Sequence, residues 1–118
     1  MDRLGGRPVS SLLAKDSNLK LHSERDALDV IASGLPGCIF TPDELHPEFF
    51  DLRNRIAGEV FQKLINYGFP IAIVISDDHG YGERVTELVR DHRRHPSIRF
   101  FTTIEAARAW LEPAERET

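Results

Sequence analysis

The chain has 118 residues, 41% of them hydrophobic and 29% charged, which is ordinary water-soluble composition and enough length for one hydrophobic core. Fifteen basic against nineteen acidic side chains give a formal net charge of -4, which argues against nonspecific nucleic-acid binding, since that needs a basic face. The single Cys38 excludes an intramolecular disulfide and a thiolate metal cluster and predicts a reducing, cytoplasmic setting. No apolar run reaches membrane-spanning length, and residues 1–6 lead into no signal-peptide core. One domain over 1–118 is expected, with 1–6 and 113–118 as loose ends.

In chain order, Pro8 to Ala14 reads as an edge strand, because Pro8 lacks a ladder donor. Lys15-Asp16-Ser17-Asn18 reads as a turn, and Leu19-Lys20-Leu21 as a short antiparallel partner. Ser23 followed by Asp26 has capping-box spacing and opens a helix through Ser33, with Ala27, Leu28, Ile31 and Ala32 as its narrow apolar face. Gly34 and Pro36 stop it. Gly37-Cys38-Ile39-Phe40 is a short buried strand. Thr41-Pro42-Asp43-Glu44 then supplies a cap, a proline at the first helical position and an acidic third residue, and His46-Pro47 breaks the turn they start.

The longest patterned stretch follows. Leu52, Ile56, Val60 and Leu64 recur every four residues, and Ala57, Phe61 and Ile65 widen the stripe, so a long helix is predicted between Pro47 and Gly68. Twenty residues of helix would span about 30 Å. Gly68 ends it, because glycine enters the left-handed region without a Cβ clash. Ile71 to Ile75 is apolar throughout, too short for a helix and not alternating, as expected of a central strand covered on both faces. Asp77 to Gly82 is a polar loop. Val85, Leu88 and Val89 mark a third helix ending in Arg90-Asp91-His92-Arg93-Arg94, and Ser97 to Phe101 is the last strand. Thr102 and Glu105 repeat the capping-box spacing for a final helix that docks through Ile104, Ala107, Trp110 and Leu111. Helices alternating with strands predict an α/β fold: a mostly parallel central sheet with packed helices and right-handed crossovers, plus an antiparallel N-terminal edge hairpin.

That order, with Phe49-Phe50-Asp51-Leu52-Arg53, Ala57-Gly58-Glu59, Gln62-Lys63, Asn66-Tyr67, and Phe100-Phe101 ahead of Glu105-Ala106 and Leu111, resembles the bacterial domain-of-unknown-function (DUF) family 4180. The resemblance covers roughly Asp26 to Leu111. The family has no assigned activity, so the resemblance implies a fold and not a reaction. The layout is also similar to the sulfate-transporter/anti-sigma-antagonist (STAS) fold, by analogy of fold alone. Two departures stand out: Ile75-Ser76 where the family has a glycine–aspartate pair, and Asp91-His92-Arg93 where a Glu-Ser-Asn run is expected. A family site resting on those positions would be altered here. The serine–glycine pair that anti-sigma antagonists use for phosphorylation is missing, and Thr41 and Asp51 are poor substitutes.

The surface of the predicted long helix carries Asp51, Arg53, Arg55, Gly58, Glu59, Gln62, Lys63, Asn66 and Tyr67. The plain reading is a solvated face with weak pairs, Arg55 to Glu59 and Glu59 to Lys63, each worth a few tenths of a kcal/mol. The functional reading is an interaction face made of Asp51, Arg53, Gly58, Glu59, Gln62, Lys63, Asn66 and Tyr67, serving a homodimer or a protein partner. Gly58 favours the second, because glycine inside a helix costs about 1 kcal/mol against alanine and close packing of another backbone would compensate. The alternative is that Gly58 faces the protein's own sheet. Glu59 as a catalytic carboxylate has no evident nucleophile or metal partner.

A second candidate lies at the C-terminal end of the central strand, where open α/β sheets place ligands. Its loops are Thr41, Asp43 and His46 on one side and Ser76, Asp77, Asp78 and His79 on the other. Asp77, Asp78, His79 and Glu83 match neither a calcium loop nor a zinc-protease helix, and aspartates in glycine loops ordinarily cap and turn. Gly80 and Gly82 lack the ending of a phosphate loop. Arg84, Arg90, Arg93 and Arg94 with His92 and His95 form a locally basic run that Glu83, Glu87 and Asp91 interrupt, so no nucleic-acid footprint is predicted. His22 and His46 are expected in local hydrogen bonds, Cys38 in the core, and Tyr67 and Trp110 at the core edge or in a dimer patch. No cofactor, resident metal, catalytic set or membrane contact is predicted.

Overall fold

Cys38–Phe40 (β1), Ile71–Val74 (β2) and Ile98–Phe101 (β3) form a parallel sheet in the order β1-β2-β3 in the computed structural model, which describes residues 12–112. In register, Cys38 lies opposite Ile71 and Ile71 opposite Ile98, so Phe40, Ile73 and Phe100 form one cross-sheet row. Among the described residues four α-helices pack on the sheet: Glu24–Ile31 (α1), Ile56–Asn66 (α2), Glu83–Asp91 (α3) and Ile104–Leu111 (α4).

Side-chain alternation divides the core into two layers. Cys38, Phe40, Ile71, Ile73 and Ile98 point to the side where Ala27 and Val30 of α1, Val60, Phe61 and Leu64 of α2, and Val85 of α3 pack. Ile39 and Ala72 point the other way and meet Ala107, Ile104, Trp110 and Leu111 of α4. Both crossovers therefore place their helices on one face, as a strand order of 1-2-3 with same-handed connections requires. Phe40, Phe49, Leu64, Ile71 and Ile73 are fully buried, each contributing roughly 1.5–3 kcal/mol over an exposed side chain.

Most predicted ends hold to within a few residues. Ser23 caps α1, its Oγ accepting from the Asp26 N–H at 3.3 Å, while the Asp26 carboxylate reaches one residue further back and accepts from the His22 N–H at 2.8 Å. After α2, Gly68 at φ +64° donates to the Ile65 carbonyl and Phe69 donates to the Leu64 carbonyl, both at 3.0 Å. These are the paired bonds of a Schellman stop, and Phe69 and Leu64 are buried in the same cluster. The final helix is capped one residue later than expected: the Thr103 Oγ1, not that of Thr102, accepts from the Ala106 N–H at 3.1 Å.

The predicted helix from Pro47 is interrupted, and α2 has 11 residues. Ahead of it lie a turn over Pro47–Phe50, a 3-10 turn at Leu52–Asn54, and Arg55 in the left-handed region at φ +69°. Side chains compete here for the backbone groups a helix would use. The Asp51 carboxylate accepts from the Arg53 N–H at 3.2 Å. Asn54 accepts from the Ile56 N–H and donates to the Glu48 carbonyl, both at 2.9 Å.

The expected antiparallel hairpin is also corrected. Leu13 bridges Ile39 and Leu21 bridges Leu45, both in parallel sense, and a 3-10 turn at Ala14–Ser17 separates them. Asn18 takes φ +59°, and the Leu19 N–H returns to the Ala14 carbonyl, so the chain folds around its own turn and, among the described residues, the two runs do not pair. The predicted strand residues Pro8 to Ser11 and the expected loose ends 1–6 and 113–118 lie outside the described residues.

Two variants test this framework. Asn54→Ala removes both bonds that hold the approach to α2 and should lower stability by about 1 kcal/mol in urea denaturation, as loss of a helix cap does. At Gly37 an added Cβ would lie 2.8 Å from Leu111 Cδ2 and 3.1 Å from the Pro70 carbonyl oxygen. Gly37→Val should therefore cost about 1–3 kcal/mol in the same assay through overpacking between β1 and α4.

Candidate functional site

β2 and β3 are neighbours, yet β2 leads into α3 on one face of the sheet and β3 into α4 on the other. The chain diverges beyond the two strand ends and leaves a crevice of about 340 Å³. Ile75, Val89, Phe100 and Phe101 form its apolar part, and Asp77, His79, Thr86 and Thr102 its polar part. The strand ends are tied together where the Ile75 N–H donates to the Phe101 carbonyl at 2.9 Å.

The loop after β2 is ordered by its own side chains. Ser76 Oγ donates to the Asp78 carboxylate and accepts from the Asp78 N–H at 3.3 Å, and the Ser76 hydroxyl holds the Asp78 carboxyl below its ordinary range. His79 Nδ1 accepts from the Tyr81 N–H at 2.9 Å, which puts the proton of the neutral ring on Nε2, 3.3 Å from Thr86 Oγ1. The His79 ring stacks on Tyr81, and Tyr81 stacks on Phe50 with centroids 4.4 Å apart.

Phe50 and Tyr81 of that stack form one wall of a wider cavity, about 650 Å³, between Pro47–Arg53 and Tyr81–Arg84. Here the Arg53 guanidinium grips Asp51 at two points, Nε to Oδ1 and Nη2 to Oδ2, each at 2.9 Å. Hydrogen bonding from Arg53, side chain first and N–H second, holds the Asp51 carboxyl below its ordinary value of 3.8.

The structure regroups the predicted site residues. Asp51 and Arg53 leave the helix face and line this wider cavity. Lys63 turns toward α1, its Nζ 3.1 Å from Glu24 Oε2, so neither Arg55 nor Lys63 pairs with Glu59. Gly58, Glu59, Gln62, Asn66 and Tyr67 stay exposed, with Gln62 donating to Asn66 along the helix at 2.9 Å. A Cβ at Gly58 would meet nothing within 4 Å, so this glycine does not face the protein's own sheet. Beside it runs a groove of about 420 Å³ lined by Leu52, Ala57, Phe61 and Leu88, with Arg55 and Glu59 at its rim. Tyr67, 60% exposed, does not close the core edge.

None of these cavities is lined by both predicted pocket loops. Thr41, Asp43 and His46 belong to a segment that pairs with residue 21: Leu21 donates to the Glu44 carbonyl and His46 to the Leu21 carbonyl. Glu44 takes up the Thr41 N–H and hydroxyl, and His46 Nδ1 accepts from the Glu48 N–H. Ser76, Asp77 and His79 instead share their crevice with Thr102, Thr86 and the Phe100-Phe101 pair, which sequence reasoning did not place at this site. The signal was topological: only the opposite exits of β2 and β3 bring those residues together.

Other expectations resolve locally. Cys38 is fully buried, and burial pushes its thiol up to about 12. His92 and His95 stack at 5.0 Å, and His92 packs toward Phe61 and Phe100, so the histidines turn away from the basic run. His95 Nδ1 accepts from the Ser97 and Ile98 N–H groups, and burial, then His92 and Arg99, lower its affinity for a proton. Arg99 sits 4.9 Å over Trp110 at the edge of the α4 layer. Among the described residues no three His, Cys, Asp or Glu side chains gather as a metal site, and no helix is long and apolar enough to cross a membrane.

The architecture defines an α/β protein whose parallel sheet opens a crevice at its strand ends. The chain belongs to the family described as domain of unknown function DUF4180, which matches residues 7–111. Comparison with curated proteins and with solved structures gives no match, and the similarity of layout to STAS domains is not confirmed.

The Asp51–Arg53 clasp gives a direct test. Arg53→Ala should raise the Asp51 pKa toward 3.8, read by NMR titration of its side-chain carboxyl carbon. Because the folded carboxyl titrates below its unfolded value, what the clasp adds to stability is present above the ordinary carboxylate range. It is lost as pH falls through the folded pKa, and the variant should lack that acid-side loss.

Proposed function

We propose that this protein is a non-enzymatic regulatory or protein-interaction domain that acts through the exposed face of α2, with a second copy of itself as the partner. The observation that carries this reading is Gly58. It sits inside a helix at a cost of about 1 kcal/mol, and among the described residues no atom beyond its own stretch of helix lies within 4 Å of where a Cβ would be. A helix backbone from a partner could approach there, over the groove formed by Leu52, Ala57, Phe61 and Leu88.

Charge supports a second copy as that partner. Arg55 and Glu59 flank Gly58 and have no ion-pair partner among the described residues. A two-fold axis near Gly58 would direct Arg55 of one copy toward Glu59 of the other, the reciprocal arrangement an isologous interface needs. Gln62, Asn66 and Tyr67 continue along the same exposed surface, with the polar and aromatic character common at interface rims and anchors.

Light scattering across the micromolar range should give the mass of a dimer. Gly58→Leu should give a monomer with an unchanged far-UV circular dichroism spectrum, since the isolated chain has room for the side chain. Arg55→Glu should weaken the dimer, and Arg55→Glu with Glu59→Arg should restore it. A wild-type monomer throughout the range would remove self-association as the function of this face.

A further inference from the structure

We propose that the crevice between α3 and α4 is a binding site for an uncharged nucleoside, a heteroaromatic base carrying a ribose. The site lies where two adjacent parallel strands send their connections to opposite faces, the place at which open α/β sheets leave a ligand crevice at the strand ends. Its volume of about 340 Å³ suits a compact ligand, near the lower end of the roughly 300–1,000 Å³ found for small-molecule sites.

The lining selects the class. Ile75, Val89, Phe100 and Phe101 offer an apolar, partly aromatic wall for a flat base. Among the described residues no lysine or arginine lines the crevice, and its one carboxylate, Asp77, would repel a phosphate. That carboxylate is an acceptor for ligand hydroxyls, and a ribose diol presents two of them side by side. Ser76 and Asp78 are engaged with each other, whereas the Asp77 carboxylate and the Thr102 hydroxyl have no hydrogen-bond partner among the described residues. His79 Nε2, fixed as a donor by the bond its Nδ1 accepts from Tyr81, adds a directed group beside Thr86. The wall thus fits the base, and the free acceptor fits the sugar.

The test titrates the isotopically labelled full chain with adenosine, cytidine and 2′,3′-dideoxyadenosine, using adenosine monophosphate and inorganic phosphate as comparators. Adenosine or cytidine should shift the amides of Ser76, Asp77, His79, Thr102 and Ala106 saturably, and the dideoxy compound should bind more weakly. Asp77→Asn should raise the dissociation constant by about tenfold, the value of one hydrogen bond to a charged acceptor. Ala106→Phe, at an exposed α4 position on the crevice wall, should abolish the shifts with circular dichroism unchanged. Should that variant misfold, Asp77→Asn with the dideoxy comparison carries the test. The proposal is overturned if no nucleoside gives saturable shifts at millimolar concentration, if phosphate or the monophosphate binds more tightly than the nucleosides, or if binding is unaffected by Asp77→Asn and by loss of the ribose hydroxyls.

Discussion

Everything in this fold depends on β2 being hydrogen-bonded on both sides. Ile71 to Ile73 pair with β1 on one edge and Ile71 to Val74 with β3 on the other, both in parallel sense, and a parallel sheet of this kind is covered above and below. Parallel pairing removes the option of a tight hairpin and forces each connection across the sheet. Two crossovers of the same hand put α2 and α3 on one face, where α1 joins them. The opposite face is left to α4, whose Ala107 lies fully buried against Ile39 and Ala72. The crevice follows from the same constraint, because the last helix has to leave β3 toward the uncovered side.

A second competition decides how the chain approaches α2. A continuous helix from Pro47 would satisfy the backbone in the cheapest local way, and holding Arg55 in the left-handed region costs about 1–2 kcal/mol. Against that stand Phe49 and Phe50, both buried, at roughly 1.5–3 kcal/mol each, with Phe49 edge-on to Phe61 at 5.7 Å. The broken path lets Phe50 reach outward to Tyr81 while Phe49 enters the core. Burial outweighs the strain, and the Asp51 and Asn54 side chains supply the hydrogen bonds that the interruption exposes. The Phe50–Tyr81–His79 stack that results joins this loop to the one after β2.

The elements with strong periodicity were legible in the residues. Ile71 to Ile75 read as a buried strand because every position is apolar, and α4 read as a docking helix because Ile104, Ala107, Trp110 and Leu111 share one face. The break before α2 was hidden for the same reason that made the helix attractive: Leu52 and Ile56 keep the four-residue spacing even though the backbone between them turns left-handed. The clue lay in Asp51 and Asn54, which favour turns over helix interiors, but their pull on the backbone depends on the phenylalanines finding a core. Likewise Asp77 and His79 were recognisable as loop residues after a central strand. Their neighbours Thr102 and Phe101 were not, since proximity across β2 and β3 is a property of the sheet and of the side on which each helix returns.

The two candidate surfaces meet on α3. Leu88 lines the groove beside Gly58, while Thr86 and Val89 line the crevice at the strand ends. This helix has a single buried residue, Val85, whereas α2 has four, Ala57, Val60, Phe61 and Leu64. An element with so little fully buried apolar area, like α4 with Ala107 alone, is lightly anchored. A ligand seated against Val89 and a partner seated against Leu88 would press on adjacent positions of one lightly held helix. If the two occupants favour different settings of α3, each changes the affinity of the other by the same factor, because coupling between binding sites is reciprocal. If they favour the same setting, the first to bind bears the ordering cost of α3 and the second binds more tightly.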